Sequence, residues 1–193
     1  MGFAELPTTA AWAHEGGRSG FEVAYFATLD RGRSIEGCTT AVEDGETWFV
    51  EYAITLNADW TTCTARVTGH SSFGRRSITL EGDGAGHWLL DGRPAPHLDG
   101  CRDVDLESSA MTNTLPVHRL GLPVAERAAA PAAYVRASDL TVHRLEQEYR
   151  RIPDRGADQR YDYNAPAFDF TCHLVYDRSG LILSYPGIAV RAA

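Results

Sequence analysis

The chain has 193 residues, with 26 acidic and 18 basic side chains and a formal net charge of −8 at pH 7. This length predicts a single domain over residues 1–193, and 44% hydrophobic and 23% charged residues are typical of a globular protein. The acidic balance argues against a nucleic-acid-binding protein, because like charges repel. The basic residues are all arginine, which excludes lysine Schiff bases and the P-loop lysine.

The start of the sequence and its cysteines predict a cellular compartment. The chain begins MGFAELPTTAAWAHE, which has neither the basic segment nor the apolar run of a signal peptide. The apolar stretches are too short for a transmembrane helix, so we expect a cytoplasmic protein. The absence of a CxxC pair favours free buried thiols over a disulfide framework for the cysteines Cys38, Cys63, Cys101 and Cys172.

Alternation of apolar and polar residues dominates the N-terminal half and predicts half-buried β-strands. One pattern puts Val23, Tyr25, Ala27 and Leu29 on a common face, and a second does the same with Trp48, Val50, Tyr52, Ile54 and Leu56. Further short strands are expected at 34–42, 61–70, 75–81 and 87–90. Turn-forming clusters separate them at 43–45, 57–59 and 82–86, a spacing typical of an antiparallel meander.

The C-terminal third continues this pattern with a predicted hairpin. Its strands are 168–176 and 181–185, joined by Asp177-Arg178-Ser179-Gly180 and ended by Pro186-Gly187. The stretch from Ala125 to Ala133 is expected to be a surface loop.

Two segments depart from the strand pattern. The first, Ser108 to Leu120, combines capping-type serines with spaced apolar residues and predicts a short helix. The second is HRLEQEYRRI at 143–152, where Leu145, Tyr149 and Ile152 follow a helical spacing. The same ten residues also suit a strand, so local sequence leaves both structures open.

The segment LDGCRDVDL holds the densest group of polar residues. If it forms a strand, Cys101, Asp103 and Asp105 share one face, which would suit an acid–base pair. The favoured interpretation is that the aspartates are buried and orient the packing or a ligand through hydrogen bonds. A metal site on His97, Asp99, Cys101 and Asp103, or Cys101 as a nucleophile with His97 or His118 as base, has weaker support, since the spacing fits neither.

Aromatic residues are plentiful in and beside the predicted strands. A rolled sheet can turn them toward a packed core or toward an apolar ligand cavity, and the sequence leaves both open. The aromatic residues concerned are Trp12, Trp48, Trp60, Trp88, Tyr25, Tyr52, Phe168 and Phe170.

Four blocks in a fixed order resemble a known bacterial family. They read LDGCRDVDL, TNTLPVHRLGL, EQEYRRI and YDRSGLILSYPGI, and the resemblance runs from about Trp12 to Arg191. The family is described as putative glycolipid-binding and was formerly a domain of unknown function. Its fold is a spiral β-roll, a many-stranded and mostly antiparallel sheet around a single helix, and its members tend to form dimers. The resemblance implies that 108–120 is the wrapped helix and that 143–152 is a strand.

The resemblance also implies a function, a non-catalytic protein that binds a lipid or glycolipid-like amphipathic ligand. We expect no cofactor, no metal and no membrane span, and we expect a homodimer. Arg119 would lie inside the roll, where it needs an acidic partner, and Asp103 and Asp105 are nearest in sequence. The alternatives are a hydrolase using Asp103 and Asp105, with His118 as a further participant, and a ligand-free structural dimer. The expected ligand-binding residues are Asp103, Asp105, Asn113, Arg119, Tyr149, Trp60 and Trp88.

Overall fold

The computed structural model describes residues 3–193, and most of this length is β-strand. The strands are β1 Thr9–His14, β2 Arg18–Leu29, β3 Gly32–Glu43, β4 Glu46–Leu56, β5 Thr62–Ser71, β6 Gly74–Gly82, β7 Trp88–Leu90, β8 Arg93–Pro94, β9 Asp103–Leu106, β10 Arg127–Ala129, β11 Ala132–Val135, β12 Val142–Leu145, β13 Glu148–Arg155, β14 Asp158–Ala165, β15 Phe170–Tyr176, β16 Ile182–Tyr185 and β17 Ala189–Arg191. The helices are α1 Thr114–Leu120 and the 3-10 helices Pro96–Leu98, Met111–Asn113 and Pro166–Phe168.

A sheet of 14 strands forms the body of the protein, in the order β10-β13-β14-β15-β16-β17-β1-β2-β3-β4-β5-β6-β7-β8. Every neighbouring pair in it is antiparallel. Strand β1 joins the two ends of the chain, because Trp12 lies opposite Glu22 of β2 and opposite Arg191 of β17. A second sheet has the order β12-β11-β9, with β9 parallel to β11. The expected many-stranded, mostly antiparallel architecture is confirmed.

The helical segment lies where the sequence placed it, but it begins later. Residues 108–110 precede the helix, which starts as a 3-10 turn at Met111 and continues as α1. Its side chains Met111, Leu115 and Val117 are fully buried. Gly121 ends it in the left-handed conformation, with its N–H 3.1 Å from the carbonyl oxygen of Val117. Strands from distant parts of the chain contact this segment, because Glu22 of β2, Tyr149 of β13 and Tyr176 of β15 hydrogen-bond to residues 110–113. The sheet therefore wraps around it.

The strand interpretation of 143–152 is correct and the helical one is wrong. The segment contains the end of β12 and the start of β13, with a break at Glu146 and Gln147. Pairing with β11 and β14 satisfies its backbone, and the side chain of Tyr149 becomes fully buried. Tertiary pairing thus overrides a helical preference that rests on a single stripe of apolar residues.

The expected surface loop at 125–133 is wrong in part. Arg127–Ala129 forms β10 and pairs with β13, and Ala132 begins β11. Alanine-rich sequence carries little strand signal of its own, so these strands depend on their partners.

The apolar face of β2 points away from the core. Tyr25 is 58% exposed and Leu29 is 44% exposed, whereas Glu22 and Ala24 on the opposite face are completely buried. Both faces of β2 carry apolar side chains, so the alternation predicts a strand but does not tell which face is inside. The alternating residues of β4, from Trp48 to Leu56, do face the core.

The cysteines are free thiols, as expected, but only Cys101 is buried and the other three are partly exposed. Within residues 3–193 no helix is long and apolar enough to cross a membrane.

Candidate functional site

Glu22 fixes the start of the internal helix to the wall of the roll. Its Oε1 accepts hydrogen bonds from the hydroxyl groups of Tyr52, at 2.7 Å, and of Ser109. Its Oε2 accepts the backbone N–H groups of Ala110 at 2.8 Å and Met111 at 3.3 Å. Burial raises the pKa of Glu22, and these four donors oppose that rise. The carboxyl group therefore satisfies N–H groups that the first helical turn leaves without partners.

Asp103 and Arg119 form the predicted contact between sheet and helix. The Nε atom of Arg119 donates to Oδ1 of Asp103 at 2.9 Å and to Oδ2 at 3.2 Å, and Nη2 also donates to Oδ2. The carboxylate is nearly inaccessible, with 2% of its side chain exposed. Burial acts to lower the pKa of Arg119, but the hydrogen bonds and charge of Asp103 outweigh it and raise that pKa. The pair is a buried bidentate ion pair that attaches α1 to β9.

Asp105, two residues further along β9, belongs to a different network. Its Oδ1 accepts from the Thr112 hydroxyl at 2.9 Å, and its Oδ2 accepts from Nε2 of Gln147. The hydroxyl of Tyr149 donates to Oδ1 of Asn113 at 2.8 Å and to Oε1 of Gln147 at 3.3 Å. Burial raises the pKa of Asp105 to about 6. This carboxyl group is therefore held by neutral donors, whose hydrogen bonds oppose the rise of its pKa.

Asp105 and Asn113 line a cavity of about 270 Å³. The aromatic part of its lining consists of Tyr134, Tyr163, Phe168, Phe170 and Tyr185. The aliphatic part consists of Leu106, Leu145, Ala165 and Ile188. The polar part consists of Arg18, Glu43, Asp105, Glu107, Ser109 and Asn113. We call this space the aromatic cavity.

The other charged residues of the aromatic cavity also make hydrogen bonds within the protein. Arg18 binds Glu43 with N–O distances of 3.1 to 3.3 Å and donates through Nη1 to the carbonyl oxygen of Glu107 at 2.9 Å. The guanidinium of Arg18 also lies over the ring of Trp48, 4.8 Å from its centroid. The Glu107 side chain accepts the backbone N–H of Ala137 at 2.7 Å.

The structure divides the seven residues expected to bind a ligand into three groups. Asp105 and Asn113 line the aromatic cavity, and Tyr149 lies behind it, hydrogen-bonded to Asn113. Asp103 and Arg119 are committed to each other. The two tryptophans lie elsewhere and do not line the cavity.

Trp60 and Trp88 line two other cavities, of about 630 Å³ and about 520 Å³, and both rings are held by contacts within the protein. Trp60 stacks on His118, with ring centroids 3.7 Å apart. The guanidinium carbon of Arg33 lies over the Trp60 ring, 4.4 Å from its centroid. Trp88 donates its indole N–H to the carbonyl oxygen of Cys101 at 2.9 Å.

The arrangement does not assemble the acid–base pair considered from the sequence. Asp103 is sealed and paired with Arg119, while Asp105 faces the cavity. His118 hydrogen-bonds to neither aspartate, and its Nε2 lies 2.9 Å from the carbonyl oxygen of Ser179. Burial lowers the pKa of His118 to about 3. Within residues 3–193 no three His, Cys, Asp or Glu side chains lie together as candidate metal ligands.

Several residues of the site were not predicted from the sequence. Glu22 gives a weak signal, a lone carboxylate at an alternate position of an apolar strand. Tyr185 lies in a predicted strand and Tyr163 in a strand that was not predicted. Their convergence depends on how β14 and β16 curve around the helix. The side chain of Gln147 gives no signal, because it stands in the break between two strands.

Fold and site together define a class of protein in which an antiparallel sheet rolls around a short helix and an aromatic cavity lies beside that helix. The family model described as "Putative glycolipid-binding" matches residues 9–191, and the chain belongs to this family. No curated protein matches the chain.

Two solved structures resemble the chain over nearly its whole length. A DUF1089 family protein from Pseudomonas aeruginosa is 29% identical, with a TM-score of 0.73 and coverage of 97% of this chain and 95% of that one. A β-barrel-like protein of a domain of unknown function, DUF1849, from Brucella abortus is 11% identical, with a TM-score of 0.54 and coverage of 98% and 95%. The second shares the fold alone.

Proposed function

We propose that the protein binds an amphipathic ligand of the lipid or glycolipid kind in the aromatic cavity and catalyses no reaction on it. The family description supports a binding role. The proposal specifies the place, with the polar part of the ligand at Asp105 and Asn113 and the apolar part against the aromatic rings.

The observation that carries this proposal is the composition of the cavity lining. Ligand pockets are mostly apolar and aromatic, with a few polar groups that orient the ligand. The aromatic cavity has this character, with five aromatic residues around a floor that includes Asp105 and Asn113. Its volume of about 270 Å³ lies just below the range of about 300 to 1,000 Å³ that is typical of ligand pockets. It would therefore hold the polar group and the adjoining atoms, and the remainder of the ligand would leave past Phe168, which is 55% exposed.

Direct detection of a ligand is the first test. Native mass spectrometry and organic extraction of the purified protein are expected to reveal a bound amphiphile. Single-chain amphiphiles added below their aggregation concentration are expected to raise the melting temperature, because a ligand that binds only the folded state stabilises it. A protein that carries no lipid and shows no shift with any of them would contradict the proposal.

A pair of phenylalanine variants tests the location. Phe168→Ser removes an exposed ring from the cavity rim, and we expect it to weaken binding roughly tenfold, about 1.4 kcal/mol. Phe73→Ser is the control, because Phe73 is 62% exposed and lies in the turn between β5 and β6. Isothermal titration calorimetry with the best amphiphile compares the two, and equal affinities would place the ligand elsewhere.

The homodimer and the cytoplasmic location remain predictions from the resemblance and the sequence. Sedimentation of the purified protein and fractionation of cells that produce it check them.

A further inference from the structure

The lining of the aromatic cavity contains more acidic than basic side chains. The only arginine in its lining, Arg18, is bound to Glu43 and so neutralised by it. Asp105 and Glu107 remain, and neither takes part in an ion pair within residues 3–193. The cavity therefore carries two carboxyl groups that no cation of the described chain compensates.

Asp105 is the more consequential of the two because it is almost completely buried, with 8% of its surface exposed. Its hydrogen-bond donors, Thr112 and Gln147, are neutral. Two of the charged groups that act on it, Asp103 and Glu107, are negative, and Asp103 is already paired with Arg119. A buried carboxylate is unfavourable without a counter-charge, so this position is suited to a cation supplied from outside.

The rings near Asp105 complete this environment. Tyr163, Phe170 and Tyr185 pack edge to face, with centroids 5.9 to 6.3 Å apart, and Tyr134 lies 5.5 Å from Phe168. Aromatic faces attract ammonium groups through the ring quadrupole, most strongly where water is excluded. Aromatic rings recognise quaternary ammonium groups in proteins, and a nearby carboxylate adds the attraction of an opposite charge.

We infer that the polar part of the ligand carries an ammonium group, which forms an ion pair with Asp105 among the aromatic rings of the cavity. This inference rests on the proposed function, since it names the headgroup of the ligand that binds there. A hydroxyl group could hydrogen-bond to Asp105 but would leave its charge uncompensated. Phosphate, sulfate and carboxylate headgroups are repelled by Asp105 and Glu107.

Three amphiphiles with the same decyl chain test the headgroup. They carry a trimethylammonium, a glucoside or a phosphate headgroup, and each is titrated into the full-length protein below its aggregation concentration. We expect the ammonium compound to bind at least about tenfold more tightly than the glucoside, and the phosphate to bind most weakly. Binding of the glucoside as tightly as the ammonium compound would overturn the inference and leave the proposed function intact. Failure of all three to bind would overturn both.

Two aspartate variants locate the effect. Asp105→Asn keeps the shape of the side chain and removes its charge, so it is expected to abolish the preference for ammonium over glucoside. Asp30→Asn is the control, because Asp30 is exposed in the turn between β2 and β3 and its change alters net charge equally. Retention of the full preference by a folded Asp105→Asn protein would overturn the inference. The comparison of headgroups on the unaltered protein stands even if that variant does not fold.

Discussion

The carboxylate of Glu22 accepts a hydrogen bond from the backbone N–H of Ala110 at 2.8 Å across a sequence separation of 88 residues. This contact joins the inner face of β2 to the start of the internal helix. Ser109 and Met111 donate to the same carboxyl group, so one side chain orders the whole entry into the helix. The helix in turn places Asn113 at the cavity, and Glu22 therefore supports the site through Ser109 and the helix without lining the cavity itself.

Replacing Glu22 by Gln should destabilise the protein by about 2 to 4 kcal/mol. The amide supplies one acceptor oxygen where four donors converge, and its NH2 group would face N–H groups that need an acceptor. Urea unfolding measures the change. Glu36→Gln on the exposed face of β3 is the matched control and should cost less than about 0.5 kcal/mol. Similar midpoints for the two variants would show that the buried carboxylate is not needed.

Arg119→Met should destabilise the fold by roughly 3 to 5 kcal/mol, because it leaves the buried carboxylate of Asp103 without its partner. Arg75→Met, at an exposed position of β6, should cost under about 0.5 kcal/mol. Chemical denaturation of both variants provides the comparison. A small loss at Arg119 would mean that the ion pair does not hold α1 against β9.

Gly37→Ala should cost about 1 to 3 kcal/mol through a steric clash. Gly37 lies opposite Tyr52 in the β3–β4 pair, and a Cβ atom there would come within 2.2 Å of Cζ of the tyrosine ring. The ring would have to move, and its hydroxyl would lose the hydrogen bond to Glu22. Gly17→Ala is the control, because a Cβ atom there meets nothing within 4 Å. Thermal unfolding of both proteins checks the prediction, and equal melting temperatures would contradict it.

We expect the raised pKa of Asp105 to increase the free energy of unfolding on mild acidification. Burial raises its pKa to about 6 in the folded protein, whereas an unfolded aspartate has a pKa of about 3.9. The folded state therefore binds the proton more tightly, so this contribution is fully present below about pH 4 and is lost as the pH rises through about 6. The two pKa values differ by about 2, which corresponds to at most about 3 kcal/mol.

Two partly buried histidines titrate in the same interval with the opposite sign. Burial lowers the pKa of His118 to about 3 and that of His14 to about 4, so both lose stability as the pH falls below about 6.5. The measurement is therefore the difference in unfolding free energy between the wild-type protein and Asp105→Asn at several pH values between about 7 and 4. That difference should shift in favour of the wild type on acidification. A difference that stays constant with pH would contradict a raised pKa for Asp105.

The sequence by itself determined the local structure where a single property of neighbouring residues, such as alternation or turn preference, was sufficient. Strand β4 was predicted because its apolar residues alternate and only one face can be buried. The 177–180 turn was predicted because Asp, Ser and Gly favour that geometry, and Asp177 does accept the N–H of Ser179 at 2.8 Å. The cost of an unpaired buried guanidinium predicted an acidic partner for Arg119, with Asp103 and Asp105 as the candidates, and the partner is Asp103.

Tertiary structure decided the features that depend on residues far apart in the chain. Residues 143–152 became strands because β11 and β14 offered backbone partners, although their own side-chain spacing favoured a helix. The face of β2 that points inward depends on the hydrogen bonds between Glu22 and the start of the helix. The local sequence of β2 does not indicate this contact. The aromatic cavity exists because Tyr134, Tyr163 and Tyr185, on three separate strands, converge around Asp105. Side-chain alternation determines which residues share a face, but only closure of the roll determines what that face meets.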